Sequence, residues 1–335
     1  MEIKKQTNKR ELAFDILRVI AMCMVVVIHV SNVYSRSFGI IGNKSFLVSL
    51  GFNTIARVSV PIFLMISGAL LLDRSFNKNK YFKRIIKYII LITVWDIIYL
   101  LWEYFYLGIT YDKLYMLLIE PYRAHLWFLY TIVTLYIIQP LLKIILEKSN
   151  KTIKVILLLI WFILSTLSLV NYTIASIFTI FSYIGFFIIG KYLYNFIKNN
   201  NLKKYNILLI LLIIINISIS IYLNYSYSLR YNSFYNLFFA YRSPFIIFSS
   251  VALFILVITN YKKEKLPKII KKLSDVSLGV YLIHGIFLDI TIKMFNYQLT
   301  NVLIGIPIFS FIIIVLSILS VSILKNIKYI NYIID

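Results

Sequence analysis

The chain is poor in the residues on which soluble enzymes rely. One cysteine, Cys23, stands among 335 residues, which excludes a disulfide framework and a cysteine-based metal site. Charged residues make up only 14%, where a soluble domain carries about 25%. No Gly-x-Ser-x-Gly elbow occurs, so a serine nucleophile of the hydrolase type has no seat. No His-Glu-x-x-His occurs, so zinc catalysis has no visible ligands, and we expect no metal. There is no P-loop and hence no nucleotide hydrolysis by that route. No extended polar stretch could form a soluble domain, and no clear repeat relates the two halves. Acids are also scarce: 13 Asp and Glu against 35 Lys and Arg, a net charge of +22.

What is present is apolar. Hydrophobic residues reach 61%, more than a soluble protein of this length could cover. The expected class is an all-α, multi-pass membrane protein, one integral-membrane domain over residues 1–335. Apolar runs of spanning length predict about ten helices, at 12–33, 47–72, 84–107, 125–147, 152–171, 174–195, 205–223, 235–259, 276–294 and 301–324. The fifth and sixth require a tight turn around Asn171. The basic N-terminus runs into an apolar stretch with no small-x-small site to close it, so it reads as a retained first span.

The basic residues are sorted by side. With the N-terminus inside the cell, 26 of the 35 Lys and Arg fall in inner segments, seven in outer ones, and Arg18 and Arg57 within spans. This asymmetry predicts that both termini are cytoplasmic, in the cell membrane. It also accounts for the net charge without nucleic acid, because basic loops face anionic lipid head groups.

A few ionisable residues interrupt the spans, where they are costly and face a cavity or a partner. In "FDILRVIAMCMVVVIHV" (14–30), Arg18 and His29 are 11 residues apart, so they share one helix face about 16 Å apart. Asp15 joins that face. Two readings stand: a local Asp15–Arg18 pair with a packed histidine, or a functional stripe with a fixed cation at one end and an imidazole far across. The second span holds Asn53 and Arg57 one turn apart, then Pro61, which favours a kink, then Ser67 and Gly68, which suit close helix packing. The third carries Asp96 and Glu103 on one face, plausible counter-charges for Arg57 or Arg18. The fourth opens with His125, Trp127 and Tyr130, placed by the aromatic-belt rule at the outer interface. Arg242 precedes Pro244 in the eighth. The ninth holds His284, and Asp289 one turn before Lys293 in the favourable acid-first order.

Four ordered blocks carry a resemblance. "FDILRVIAMCMVVVIHV", "RVSVPIFLMISGALLL", "HLWFLYTIVTLYIIQPLL" and "SLGVYLIH" resemble successive blocks of the membrane acyltransferase 3 family, from residue 14 to 284. The resemblance implies O-acylation of a cell-surface carbohydrate from a cytoplasmic donor, acetyl-CoA or another acyl-CoA. It implies His29 as the catalytic residue and Arg18 on the donor side. Lys83 and Arg84 fall where the family has a basic donor-side cluster, with Lys at one of those positions. Some members carry a fused esterase-like domain. This chain resembles the stand-alone members.

The chemistry fits independently. An imidazole suits removal of a proton from a sugar hydroxyl. Phosphates of the donor need cations, and the tetrahedral intermediate needs hydrogen-bond donors, for which Ser67, Tyr130 and Trp127 are candidates. His29 as general base in direct transfer and an acyl-histidine intermediate both remain open. Two other classes fit the composition: an exporter of polysaccharide or lipid-linked sugar, and a non-catalytic assembly or sensor component with structural histidines. The sequence carries no signature of an oligomeric state.

Overall fold

The computed structural model describes residues 11–108, 120–170, 172–261, 267–297, 300–327 and 334, with 172–180 described by backbone only. Among these residues the chain is helical, without a strand. Twelve α-helices follow one another: α1 Leu12–Ser35, α2 Asn43–Ala56, α3 Ser59–Leu71, α4 Lys78–Trp102, α5 Trp127–Lys148, α6 Lys151–Leu167, α7 Tyr172–Asn199, α8 Asn206–Arg230, α9 Pro244–Tyr261, α10 Lys268–Asp275, α11 Ser277–Met294 and α12 Val302–Leu324.

Eight helical segments among the described residues are long and apolar enough to cross a bilayer: Leu12–Ser35, Asn43–Leu71, Lys78–Leu107, Ala124–Lys148, Lys203–Arg230, Leu237–Tyr261, Ser277–Met294 and Val302–Leu324. They make the chain a multi-pass membrane protein. The remaining two expected spans coincide with α6, of 17 residues, and α7, of 28. The α6–α7 connection is short, as expected, and Asn171 itself lies outside the described residues. Large apolar side chains such as Ile207, Leu208, Phe311 and Ile323 stand exposed on the outside of the bundle. In a bilayer that surface meets lipid tails, and the helices satisfy their own backbone groups.

α1 is the central helix. It packs against α2, α3, α9, α10, α11 and α12. The expected second span is two helices rather than one. Pro61 has no N–H to give the Arg57 carbonyl four residues earlier, and its ring crowds that carbonyl. The helix therefore breaks at Arg57 and Val58, where the Arg57 amide turns to Thr54 O at 3.2 Å. α3 then runs tightly against α7. A Cβ on Gly68 would lie 1.7 Å from Phe187 O, and one on Gly190 2.1 Å from Met65 O. The small residues of this span serve close packing.

The ends of the bundle differ. At one end Lys191 meets Asp73 at 2.9 Å, Lys143 donates to Arg74 O, Tyr194 bonds Glu11, and Lys325 donates to Asp275 O at 2.6 Å. These contacts gather the ends of α3, α5, α7, α10 and α12 with the start of α1. This is the basic end. The far end carries the 36–42 and 231–243 connections.

Candidate functional site

The three histidines, distant in sequence, meet near the far end. His29 of α1 lies with its ring centre 4.9 Å from that of His284 on α11 and 5.9 Å from that of His125. His125 and His284 are 4.9 Å apart. His125 sits in a 3₁₀ turn, Ala124–Leu126, that leads into α5. It is buried. The reason is polar: the strand of chain before α5 is pulled inward by its neighbours. Tyr122 N donates to Asp96 Oδ1 at 3.0 Å, and Tyr130 Oη donates to Asp96 Oδ2 at 2.7 Å. Arg123 Nε lies 2.9 Å from Glu103, and its Nη2 pairs with Asp289. Tyr281 Oη donates to His125 O, and Tyr99 Oη to Leu282 O at 2.7 Å.

These contacts correct several expectations. Asp96 and Glu103 do not neutralise Arg57 or Arg18. They hold the 120–130 segment. Asp289 does not pair with Lys293, whose Nζ donates to Tyr106 O at 3.0 Å. It pairs instead with Arg123 and accepts from Trp102 Nε1 at 3.1 Å. The Tyr130 hydroxyl is engaged by Asp96, and Ser67 Oγ donates to Phe63 O in its own helix at 2.9 Å. Neither hydroxyl is held toward the histidines. Trp127 is. It lines the His29 cavity and lies 5.1 Å from Tyr183 and 5.8 Å from Tyr241 between ring centres.

The tautomer of His284 follows from its partner. Its Nδ1 is 2.6 Å from Tyr281 O. A carbonyl can only accept, so Nδ1 carries the hydrogen and, in the neutral ring, Nε2 carries a lone pair. That Nε2 and the Nε2 of His125 are buried with no partner among the described residues. Two unsatisfied nitrogens beside His29 are unusual for a buried site. Gly285 makes the proximity possible: a Cβ there would meet Tyr99 Oη at 2.7 Å and His125 Cε1 at 2.9 Å. Among the described residues no His, Cys, Asp and Glu side chains group as a metal site.

One cavity reaches the cluster, and a second shares a wall residue with it. A small one, about 20 Å³, is walled by His29, His125, Trp127, Tyr241 and Tyr281. Val25, Val60, Phe63 and Phe128 complete it with an apolar wall, and Val25 lies one turn from His29 toward the basic end. A larger one, about 180 Å³, is lined by Arg57, Arg242, Ser182, Tyr183, Asn236 and Phe239, and shares Tyr241 with the first. Arg36, Arg57 and Arg123 lie within electrostatic reach of His29.

Arg18 is not part of this cluster. It sits near the basic end, paired with Asp15 at 3.0 Å, and Asp15 also accepts from Ser274 of α10 at 2.6 Å. Arg84 lies over the Tyr136 ring at 5.3 Å, and Arg18 is within electrostatic reach of the same phenol. Lys83 is exposed beside them. The predicted stripe thus divides into two places on α1.

The family model described as an acyltransferase domain matches residues 11–325, nearly the whole chain. The chain belongs to the acyltransferase 3 family. Neither a curated protein nor a solved structure matches it. Membership makes this membrane protein an acyltransferase and sets the exporter and sensor readings aside. Sequence reasoning left Arg123 as a loop cation and did not foresee the convergence of histidines. The one available signal was that all three histidines lie in or at the edge of spans, on three different helical segments.

Proposed function

We propose that the protein carries an acyl group, acetyl in the first instance, from acyl-CoA at the basic end to a hydroxyl of a cell-surface carbohydrate at the far end. In this reading the chain crosses the cell membrane ten times, and both termini and the basic end face the cytoplasm. A reporter fused to either terminus tests that placement. It should be active only if its chemistry belongs to the cytoplasm.

The observation that carries the reading is the position of His29 on a cavity that adjoins both an apolar wall and a polar chamber. Arg18, Lys83 and Arg84 suit the phosphates of CoA. The separation of Arg18 and His29 along α1 is about 16 Å at 1.5 Å per residue, which an extended pantetheine arm covers. His29 takes the proton of the acceptor hydroxyl as its oxygen attacks the thioester carbon. In this reading the His284 Nε2 lone pair, on a ring centred 4.9 Å from that of His29, accepts the other N–H of His29 and steadies the imidazolium, the part an acid plays in a triad. The His125 Nε2, when it bears the hydrogen, faces the developing oxyanion, and the cations around His29 favour that charge. Collapse of the intermediate expels the CoA thiolate, which takes up the proton held by His29.

The test is the O-acyl content of the surface glycan, read by proton NMR in a deletion strain. Wild type restores the acyl signal. His29→Ala at equal membrane level does not. His284→Phe keeps the protein in the membrane and lowers turnover about 100-fold or more, the scale of a lost acid–base partner, with little change in KM. Full signal with His29→Ala would refute the mechanism.

A further inference from the structure

The larger cavity holds two guanidiniums without a counter-charge among the described residues. Arg57 stands at the break between α2 and α3. Its Nε donates to Asn53 Oδ1 at 2.9 Å, and its head lies 4.6 Å from the ring centre of Phe239 and 5.3 Å from that of Tyr241. Neither of its Nη groups has a hydrogen-bond partner among the described residues. Arg242 also lines the cavity, and its Nε is buried without a partner among the described residues. No described carboxylate forms an ion pair with either arginine. The rest of the lining is aromatic or neutral: Tyr183, Tyr241, Phe239, Asn236 and Ser182.

Each part has a chemical meaning. Cations at membrane depth face a partner or an aqueous cavity. Arginine binds carboxylate and phosphate through a planar fork. Aromatic walls offer flat apolar faces of the kind that a sugar ring covers. Asn and Ser can meet hydroxyls. The chamber shares Tyr241 with the His29 cavity, so the two are neighbours across that side chain.

We infer that this chamber is an acceptor subsite for an acidic glycan, with Arg57 and Arg242 holding a carboxylate or phosphate group while a neighbouring hydroxyl reaches His29. The inference rests on the acyltransferase reading for the reaction, but the anion site itself can be tested without it. A carboxylate and a phosphodiester share this chemistry, and the test separates them.

The protein in lipid nanodiscs is assayed with radiolabelled acetyl-CoA and matched acceptors: a glucuronate-containing oligosaccharide, the same oligosaccharide with its carboxyl groups reduced to alcohols, and a glycerol-phosphate oligomer. Wild type should prefer one acidic acceptor over the neutral one by about tenfold or more in kcat/KM, the scale of one lost charge-assisted bond. Arg57→Gln and Arg242→Gln should bring that ratio toward one through KM. Arg242→Lys should retain part of it. In parallel, D-glucuronate, inorganic phosphate and D-glucose are tested for their effect on the thermal midpoint. An acid that raises the midpoint of wild type, but not of Arg242→Gln, supports the site even if no acceptor is labelled. In that event the proposed transfer from acetyl-CoA to a glycan fails and the anion site stands. Equal use of acidic and neutral acceptors overturns the inference, as does a preference that survives in Arg57→Gln/Arg242→Gln. Variants that only lose yield and thermal stability, with the acid-over-neutral ratio intact, overturn it as well.

Discussion

Arginines flank the histidine cluster on two sides, and they are treated differently. Arg123 is clasped by Glu103 and Asp289, with side chains only 8% and 12% exposed. Arg57 and Arg242 border a cavity with no described carboxylate in reach. The first arginine is an internal strut: its charge is answered by the chain, and its place fixes the segment that bears His125. The other two carry charge that no described carboxylate answers. Among the described residues two acids meet one arginine and none pairs with Arg57 or Arg242. The difference separates a cation that builds the site from cations that serve it.

The largest effect should come from breaking the strut. Arg123→Ala leaves two nearly buried carboxylates facing each other without a cation. Removing one partner of a buried pair destabilises by about 3–5 kcal/mol. The expected outcome is loss of folded protein, read as recovery from fluorescence-detected size exclusion and as a lower thermal midpoint. Arg57→Gln should be far milder on both readouts. Equal losses in the two variants would erase the distinction between them.

A smaller effect should follow from crowding the cluster while leaving every charge in place. Gly285→Ala introduces a methyl within 2.7 Å of Tyr99 Oη and 2.9 Å of His125 Cε1. Overpacking of this kind costs about 1–3 kcal/mol. Since Tyr99 is tied to Leu282 O, the His125 ring has to move. Transfer should fall at saturating substrate while the protein remains in the membrane at near-normal amount. Wild-type turnover would show that the position of His125 does not matter to the reaction.

Much of the helical frame was legible, because spans obey a simple rule: apolar runs of fixed length between basic or polar turns. The α2–α3 break was half legible. Pro61 announced a disturbance, but the break falls four residues earlier, at the carbonyl that the proline cannot serve. The His29 end of the stripe could be read from helical periodicity on a single helix. Its partners could not, since nothing local tells which face of α11 or which turn before α5 will meet α1. The acid pairings failed for the same reason. The i, i+4 rule favoured Asp289 with Lys293, yet Arg123, 166 residues away in sequence, holds that carboxylate. Tertiary contact outcompetes a local pair worth only about 0.5 kcal/mol.

The mildest test concerns Arg18, which stands between the two extremes. Among the described residues it pairs with Asp15, and that carboxylate also accepts the Ser274 hydroxyl at 2.6 Å. Arg18 is 27% exposed, so it is held but still reachable. Ser274→Ala removes one hydrogen bond to a buried carboxylate, about 1.5–3 kcal/mol. Asp15 is then answered by Arg18 more fully, and Arg18 becomes less available to a phosphate. If the basic end receives the donor, KM for acyl-CoA should rise a fewfold, by about 2- to 5-fold on the scale of a kcal/mol or less, while KM for the acceptor stays put. Steady-state kinetics with each substrate varied in turn reads both. A shift confined to the acceptor would reverse the assignment of the two ends, for then the arginine nearest the basic loops would be sensing the sugar, and the uncompensated pair at the far end would be left to bind the donor.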